Sequence, residues 1–273
     1  MDYTKLKNTE LFLFDMDGTL YLGDNVYEGA IELMEDLPRL GKKYIYLTNN
    51  SSRAGEDYIT RLRKLGFPCE RENVFTSGMA TGMFLNQRHP GASVYLAGTK
   101  AFYRELKSYG VNLVNDELGH TEANTVDVVV QGFDTELVYG KLDKACHFLR
   151  RGAAFIAANP DWVCPMPHDE VLPDCGSICA LLTASSGVQP NYIGKPNRNM
   201  IDVISEMTGI PNEQICAVGD RLYTDIAVAQ NAGSVSVLVL SGETDQAMVD
   251  AAERKPDFVL KDVHELHNIL KTL

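Results

Sequence analysis

Asp15 and Asp17 stand two residues apart in Asp15-Met16-Asp17-Gly18-Thr19, directly after the apolar run Leu11-Phe12-Leu13-Phe14. That run reads as a buried strand, so the acids fall where strand gives way to loop. In an open α/β sheet this edge is where ligands bind. Two carboxylates this close repel each other unless a cation or a proton gives them different roles. The pair suits a Mg²⁺ site in which one carboxylate remains a nucleophile and the other serves as acid and base. An Asp-x-Asp-Gly run also builds ordinary turns. It does not continue as an EF-hand, because Tyr21, Leu22 and Gly23 follow where further ligands would stand.

Three more segments carry the same kind of chemistry. Thr48-Asn49-Asn50 follows the run Tyr44 to Leu47. A hydroxyl and the N–H groups that open a helix make an anion cradle there, although the same residues also suit a helix cap. Lys195 is flanked by Gly194 and Pro196, which fix its backbone; its ordinary reading is a solvated loop lysine. Gly219-Asp220-Arg221-Leu222-Tyr223-Thr224-Asp225 follows the apolar strand Ile215 to Val218 and again puts acid at a strand end. Alone it is a Gly-Asp turn. Taken in this order, the segments gather carboxylates, a hydroxyl-amide cradle and one ammonium. Phosphoryl transfer needs that set, since a phosphate dianion must be neutralised before a carboxylate can attack it.

The elements that must position these groups alternate along the chain. Strands are expected at 11–14, 44–47, 74–76, 215–218, 235–240 and 258–260. Helices are expected over 30–40, up to Leu65, and over 225–231 with Gly233 as cap. Such alternation predicts a parallel sheet with helices on both faces. The middle of the chain has its own rhythm: strands at 94–96, 126–130 and 154–157, and helices at 142–150 and 178–185. It reads as a second α/β domain over 80–188, inserted between core segments 1–79 and 189–273, with no internal repeat or low-complexity stretch.

Composition narrows the partners. Of 273 residues, 45% are hydrophobic and 23% charged, an ordinary globular balance. Acidic residues outnumber basic ones 37 to 25, a net charge of −12. That argues against nucleic acid, which needs a positive face, and against an anionic membrane surface. Small phosphorylated molecules remain open, because lysine, a cation and backbone N–H groups can hold phosphate locally. The opening MDYTKLKNTE is polar, so no secretory leader is expected. The six cysteines are scattered, which predicts a reduced, cytoplasmic protein. Cys175 and Cys179, with Cys164 and His168 nearby, lack a Cys-x-x-Cys pair and read as core residues before a zinc site.

Together DMDGT, a strand ending in Thr48, Gly194-Lys195-Pro196 and GDRLYTD closely resemble the four motifs of the haloacid dehalogenase (HAD) superfamily of phosphatases. LTNNSSR, TSGMATGMFL, Asn159-Pro160-Asp161, GSICALL and IGKPN resemble the NagD-like branch, subfamily IIA, so the likeness spans nearly the whole chain. One departure is Ala157-Ala158 before Asn-Pro-Asp, where the family usually has Thr. The resemblance implies a Rossmann-like, doubly wound parallel sheet core with an inserted α/β cap of the C2a type. It implies Mg²⁺-dependent hydrolysis of small phosphate monoesters, such as sugar phosphates, nucleoside monophosphates and p-nitrophenyl phosphate, through an aspartyl-phosphate. Asp15 then takes the nucleophile's place and Asp17 that of the acid/base. Asp15, the backbone carbonyl of Asp17, and Asp220 take the metal ligands' places, and Asp225 holds a metal water or orients Lys195. Thr48 and the Asn49 N–H bind phosphoryl oxygens, and Lys195 pairs with Asp15 and the phosphate. A cap loop over 159–176, with Trp162, His168 and Asp174, is expected to reach a small phosphorylated metabolite, and a homodimer through the cap is expected. A phosphomutase uses the same acid pair. A phosphoacceptor signalling protein shares the acid, hydroxyl and lysine, but has no task for Asp17 or a cap.

Overall fold

The computed structural model describes residues 2–115, 125–166 and 170–273. Contacts divide it into two compact units, one of residues 1–48, 58–75 and 195–273, the other of residues 49–57 and 76–194. The second therefore lies within the first in chain order. Its edges fall elsewhere than 80 and 188 because the helix Ser77–Arg88 and a last strand at Asn191–Tyr192 pack with it.

The first unit is built on a six-stranded sheet. Its strands are β1 (Leu11–Phe14), β2 (Lys43–Thr48), β3 (Val74–Thr76), β8 (Ile215–Gly219), β9 (Val235–Val239) and β10 (Phe258–Leu260), in the order β10-β9-β8-β1-β2-β3. β1 pairs in parallel with β8 and with β2, setting Phe14 opposite Val218 and Tyr46. All four side chains of β1 are buried, as expected of a strand covered on both faces. The chain runs outward from β1 through β2 and β3, then resumes on β1's other side at β8. That reversal opens a crevice beyond the carboxyl ends of β1 and β8, the usual ligand site of open α/β sheets. Phe12, Phe14, Tyr46 and Leu33 belong to one apolar core that also takes in Val237 and Leu266.

The second unit has a four-stranded parallel sheet of β4 (Val94–Ala97), β5 (Val128–Gln131), β6 (Ala154–Ala157) and β7 (Asn191–Tyr192), ordered β7-β6-β5-β4. Its core joins Tyr95, Val129 and Phe155 to Phe148 and Leu182 from the helices Tyr139–Leu149 and Cys175–Ser186. Both sheets agree with the α/β reading of the sequence. No helix among the described residues is long and apolar enough to cross a membrane.

Two local expectations are corrected. Asp225 does not open an α-helix. Leu222–Ile226 forms a π-helical turn, and the helix proper is Ala227–Ala232, closed by Gly233 in the left-handed region. The wide turn bends the Asp225 side chain back onto Gly219, where a Cβ would lie 2.3 Å from Asp225 Cβ. The stretch 159–176 is not simply loop either. It contains an antiparallel ribbon, Val163–Pro165 with Val171–Pro173, and the following helix starts at Cys175 because Asp174 caps it.

Candidate active site

The ends of three strands of the first unit bring its chemistry together. Asp15 follows β1, its N–H donating to the Val218 carbonyl at 2.8 Å. Thr48 is the last residue of β2 and is buried. Asp220 follows β8, and Asp225 returns to the same edge through the π-helical turn. Lys195, only 2% exposed, supplies the ammonium. Its Nζ donates to Asp15 Oδ1 at 2.5 Å and to Asp225 Oδ1 at 2.6 Å. A buried lysine is retained only where carboxylates compensate its desolvation, and here two do.

Carboxylate oxygens of Asp15, Asp220 and Asp225 lie within 4.8 Å of one another. Burial pushes the Asp15 carboxyl well above the usual range; Lys195 opposes this, while Asp225 and Asp220 reinforce it. Asp220 is pushed up to about 6, first by burial and then by Asp225, against the relief of the Glu243 N–H. For Lys195, burial pulls the ammonium down, but Asp15 and Asp225 outweigh it and hold the group above its ordinary value. Lys195 bonds two of the three acids and Arg221 favours the charge on the third, and this close set of carboxylates has repulsion that a cation would relieve. The donors are oxygens only, which suits a hard divalent cation.

The backbone is shaped around Asp220. The Glu243 N–H donates to its Oδ2 at 2.8 Å and Thr19 Oγ1 lies 3.4 Å from its Oδ1. Gly18 has φ +89°, and a Cβ there would come 2.6 Å from Asp220 Oδ2. A Cβ on Gly242 would come to 2.1 Å of the same atom. Arg221 donates its N–H to Asp225 Oδ2 at 3.1 Å and pairs through its guanidinium with Glu243 at 2.9 Å. Asp17, half-buried in the turn after Asp15, lies outside the three-carboxylate cluster.

The remaining sequence candidates are placed as follows. Asn49 counts with the second unit, where its amide donates to Asp161 Oδ2 at 2.9 Å. Trp162 is 64% exposed at the start of the ribbon. Asp174 is buried, accepting the Cys175 N–H at 2.5 Å and an Asn159 amide N–H at 3.1 Å. It therefore serves as a helix cap. His168 lies outside the described residues. Cys175 and Cys179 are free and buried, their Sγ atoms 3.9 Å apart in the second unit's core.

The sequence assigns no site role to Gly242, Glu243, Arg221 or Asp161. The first two act from the loop after β9, whose tie to Asp220 arises only on folding. Asp161 carried a visible signal in its Asn-Pro-Asp turn, but nothing in the spacing pointed to Asn49.

A haloacid dehalogenase-like hydrolase family model matches residues 12–112, and a HAD-hydrolase-like model matches residues 192–266. The chain is 33% identical over 260 residues to an acid sugar phosphatase of Staphylococcus aureus, covering 95% of this chain and 97% of that protein. It is similar to the solved 4-nitrophenylphosphatase of Thermotoga maritima, with 42% identity, a TM-score of 0.88, and 97% and 98% of the two chains covered. It is also similar to NagD of Escherichia coli K-12, with 31% identity, a TM-score of 0.83, and coverage of 94% and 98%. Matches of this extent, on a sheet where Asp15 and Asp220 follow neighbouring strand ends, mean that the chain belongs to the haloacid dehalogenase-like hydrolases, in their NagD-like branch of phosphomonoester hydrolases.

Proposed function

We propose that the protein hydrolyses small phosphate monoesters, sugar phosphates and nucleoside monophosphates among them, with Mg²⁺, through a phosphoryl group carried on Asp15. One observation carries the reading: Lys195 spans Asp15 and Asp225 within a close cluster of three carboxylates at a sheet edge. The names of the sugar phosphatase and 4-nitrophenylphosphatase relatives support the substrate class.

Asp15 attacks phosphorus in line, forming an acyl-phosphate bond as the ester P–O bond breaks. Asp17 gives its proton to the leaving alkoxide. In the second step Asp17 takes a proton from water, whose oxygen attacks phosphorus. The acyl-phosphate bond then breaks, returning the Asp15 carboxylate and free phosphate. Lys195 neutralises charge on Asp15 and the phosphoryl oxygens, with Asp225 holding its Nζ in place. Thr48 and the Asn49 N–H receive the phosphoryl oxygens. Asp15, the Asp17 carbonyl and Asp220 would hold Mg²⁺, which when bound neutralises the phosphate and lets one anion approach another.

The second unit serves as the cap in this reading, its Trp162 loop choosing the substrate and its surface pairing two copies of the chain. The partner is a small phosphorylated metabolite in the cytoplasm, and nucleic acid and membrane are not bound. Asp17 sets the reading apart from a phosphoacceptor, which must keep its phosphoryl group rather than pass it to water. The test is a screen of phosphorylated metabolites and p-nitrophenyl phosphate with Mg²⁺ and with EDTA. Steady Mg²⁺-dependent release of phosphate is expected; labelling without turnover would favour the phosphoacceptor.

A further inference from the structure

The turn Asn159-Pro160-Asp161 is buried in the second unit, yet it bonds to a residue whose chain neighbour belongs to the catalytic centre. Asp161 is 5% exposed, and its Oδ2 accepts two amide N–H bonds, from Asn49 at 2.9 Å and from Asn159 at 2.8 Å. Asn49 is also held by its main chain, its carbonyl accepting from Ser77 Oγ at 2.6 Å. Asn49 follows Thr48 directly, so these bonds fix the peptide on which the phosphoryl seat depends.

A second connection meets the same turn. The Gly194 N–H donates to the Ala158 carbonyl at 2.8 Å. A Cβ on Gly194 would lie 2.6 Å from Asn49 Oδ1 and 2.7 Å from the Ala158 oxygen. Only a glycine lets the backbone before Lys195 lie this close to Asn49. The residues adjoining Thr48 and Lys195, which are 147 positions apart in the chain, are therefore locked together on the second unit's side. The turn is itself anchored. Asp161's carbonyl accepts the Gly176 N–H at 2.8 Å, and a Cβ on Gly176 would strike the Pro160 carbonyl at 2.3 Å.

From this we propose that Asp161 is a positioning residue for phosphoryl transfer. Through Asn49 it holds the Thr48–Asn49 peptide in register with the Gly194–Lys195 connection. It touches no reacting atom. The proposal rests on the reading of Thr48, Asn49 and Lys195 as the phosphate's seat.

The test uses p-nitrophenyl phosphate with Mg²⁺, and inorganic phosphate as a competitive inhibitor. Asp161→Ala is expected to lower kcat/KM about tenfold or more and to weaken phosphate inhibition, the effect of losing a hydrogen bond to a charged group. Asp161→Asn should recover most of the loss, since an amide oxygen can accept the same two bonds. Asn49→Ala keeps its N–H but loses the same Asn49–Asp161 bond, so it should lower kcat/KM and weaken phosphate inhibition as Asp161→Ala does, and the double variant should be no worse than the more affected single variant. Wild-type kcat/KM and phosphate inhibition in Asp161→Ala, or losses that multiply in the double variant, would overturn the proposal. If Asp161→Ala does not fold, Asn49→Ala decides alone, because it leaves the Asp161–Asn159 bond intact; wild-type behaviour there would overturn the proposal. An inactive wild type would instead count against the phosphatase reading, whatever the variants do.

Discussion

Asp220 and Asp225 are buried and Asp15 half-buried, and Lys195 offsets the repulsion among them by bonding Asp15 and Asp225. Asp15→Asn leaves the hydrogen-bonding shape but removes the nucleophile. It should lower kcat by a factor of ~10³ or more while circular dichroism stays that of the parent. Gly242→Ala pushes a methyl onto Asp220 Oδ2, where the gap is only 2.1 Å. Asp220 must turn aside, so the Mg²⁺ concentration giving half-maximal rate should rise about tenfold or more, and excess Mg²⁺ should recover part of the rate. Asp15 and Asp220 each follow an apolar run, which marks them in the sequence, whereas Asp225 lies beyond Asp220 in the π-helical turn. Gly242 and Glu243 carry no such mark, because their place beside Asp220 is made by a loop folding back over the sheet edge.

At the level of elements, the continuous runs Leu11–Phe14 and Ile215–Val218 announced strands buried on both faces, and the structure sets them side by side. The π-helical turn at Leu222–Ile226 had no such sign. A period of side chains cannot report a turn whose width is set by Asp225 folding onto Gly219 and by the Arg221 N–H on its carboxylate. The pairing of Val163–Pro165 with Val171–Pro173 was hidden for a related reason: three-residue strands give no alternation to count. Asp174 read as part of a substrate loop, and the structure makes it the cap of Cys175–Ser186. Asp174→Ala should therefore cost about 1 kcal/mol of stability, read as a lower urea midpoint with an unchanged slope.

Across the whole molecule, the α/β class could be read from alternation alone, whereas the pairing of Asn49 with Asp161 joins positions 112 residues apart. Charge at the catalytic edge also bears on global stability. Burial, with Asp225, holds Asp220 at about 6, above the 3.8 of an ordinary aspartate. The unfolded chain thus releases this proton first, so metal-free protein should lose stability as pH rises through the window between those values and change little from this source above it. Mg²⁺ requires the carboxylate form. Its stabilising effect, followed as the shift in Tm between EDTA and Mg²⁺, should therefore grow from pH 5 to pH 7. A shift independent of pH would mean that Asp220 is not a ligand.

The central claim is that the phosphoryl group rests on Asp15 before water receives it. A phosphorothioate monoester made chiral with oxygen isotopes, hydrolysed in water carrying a third isotope, reports this directly. Two in-line displacements predict thiophosphate with retained configuration at phosphorus; inversion would mean that water attacks the ester in one step, and Asp15 would carry nothing.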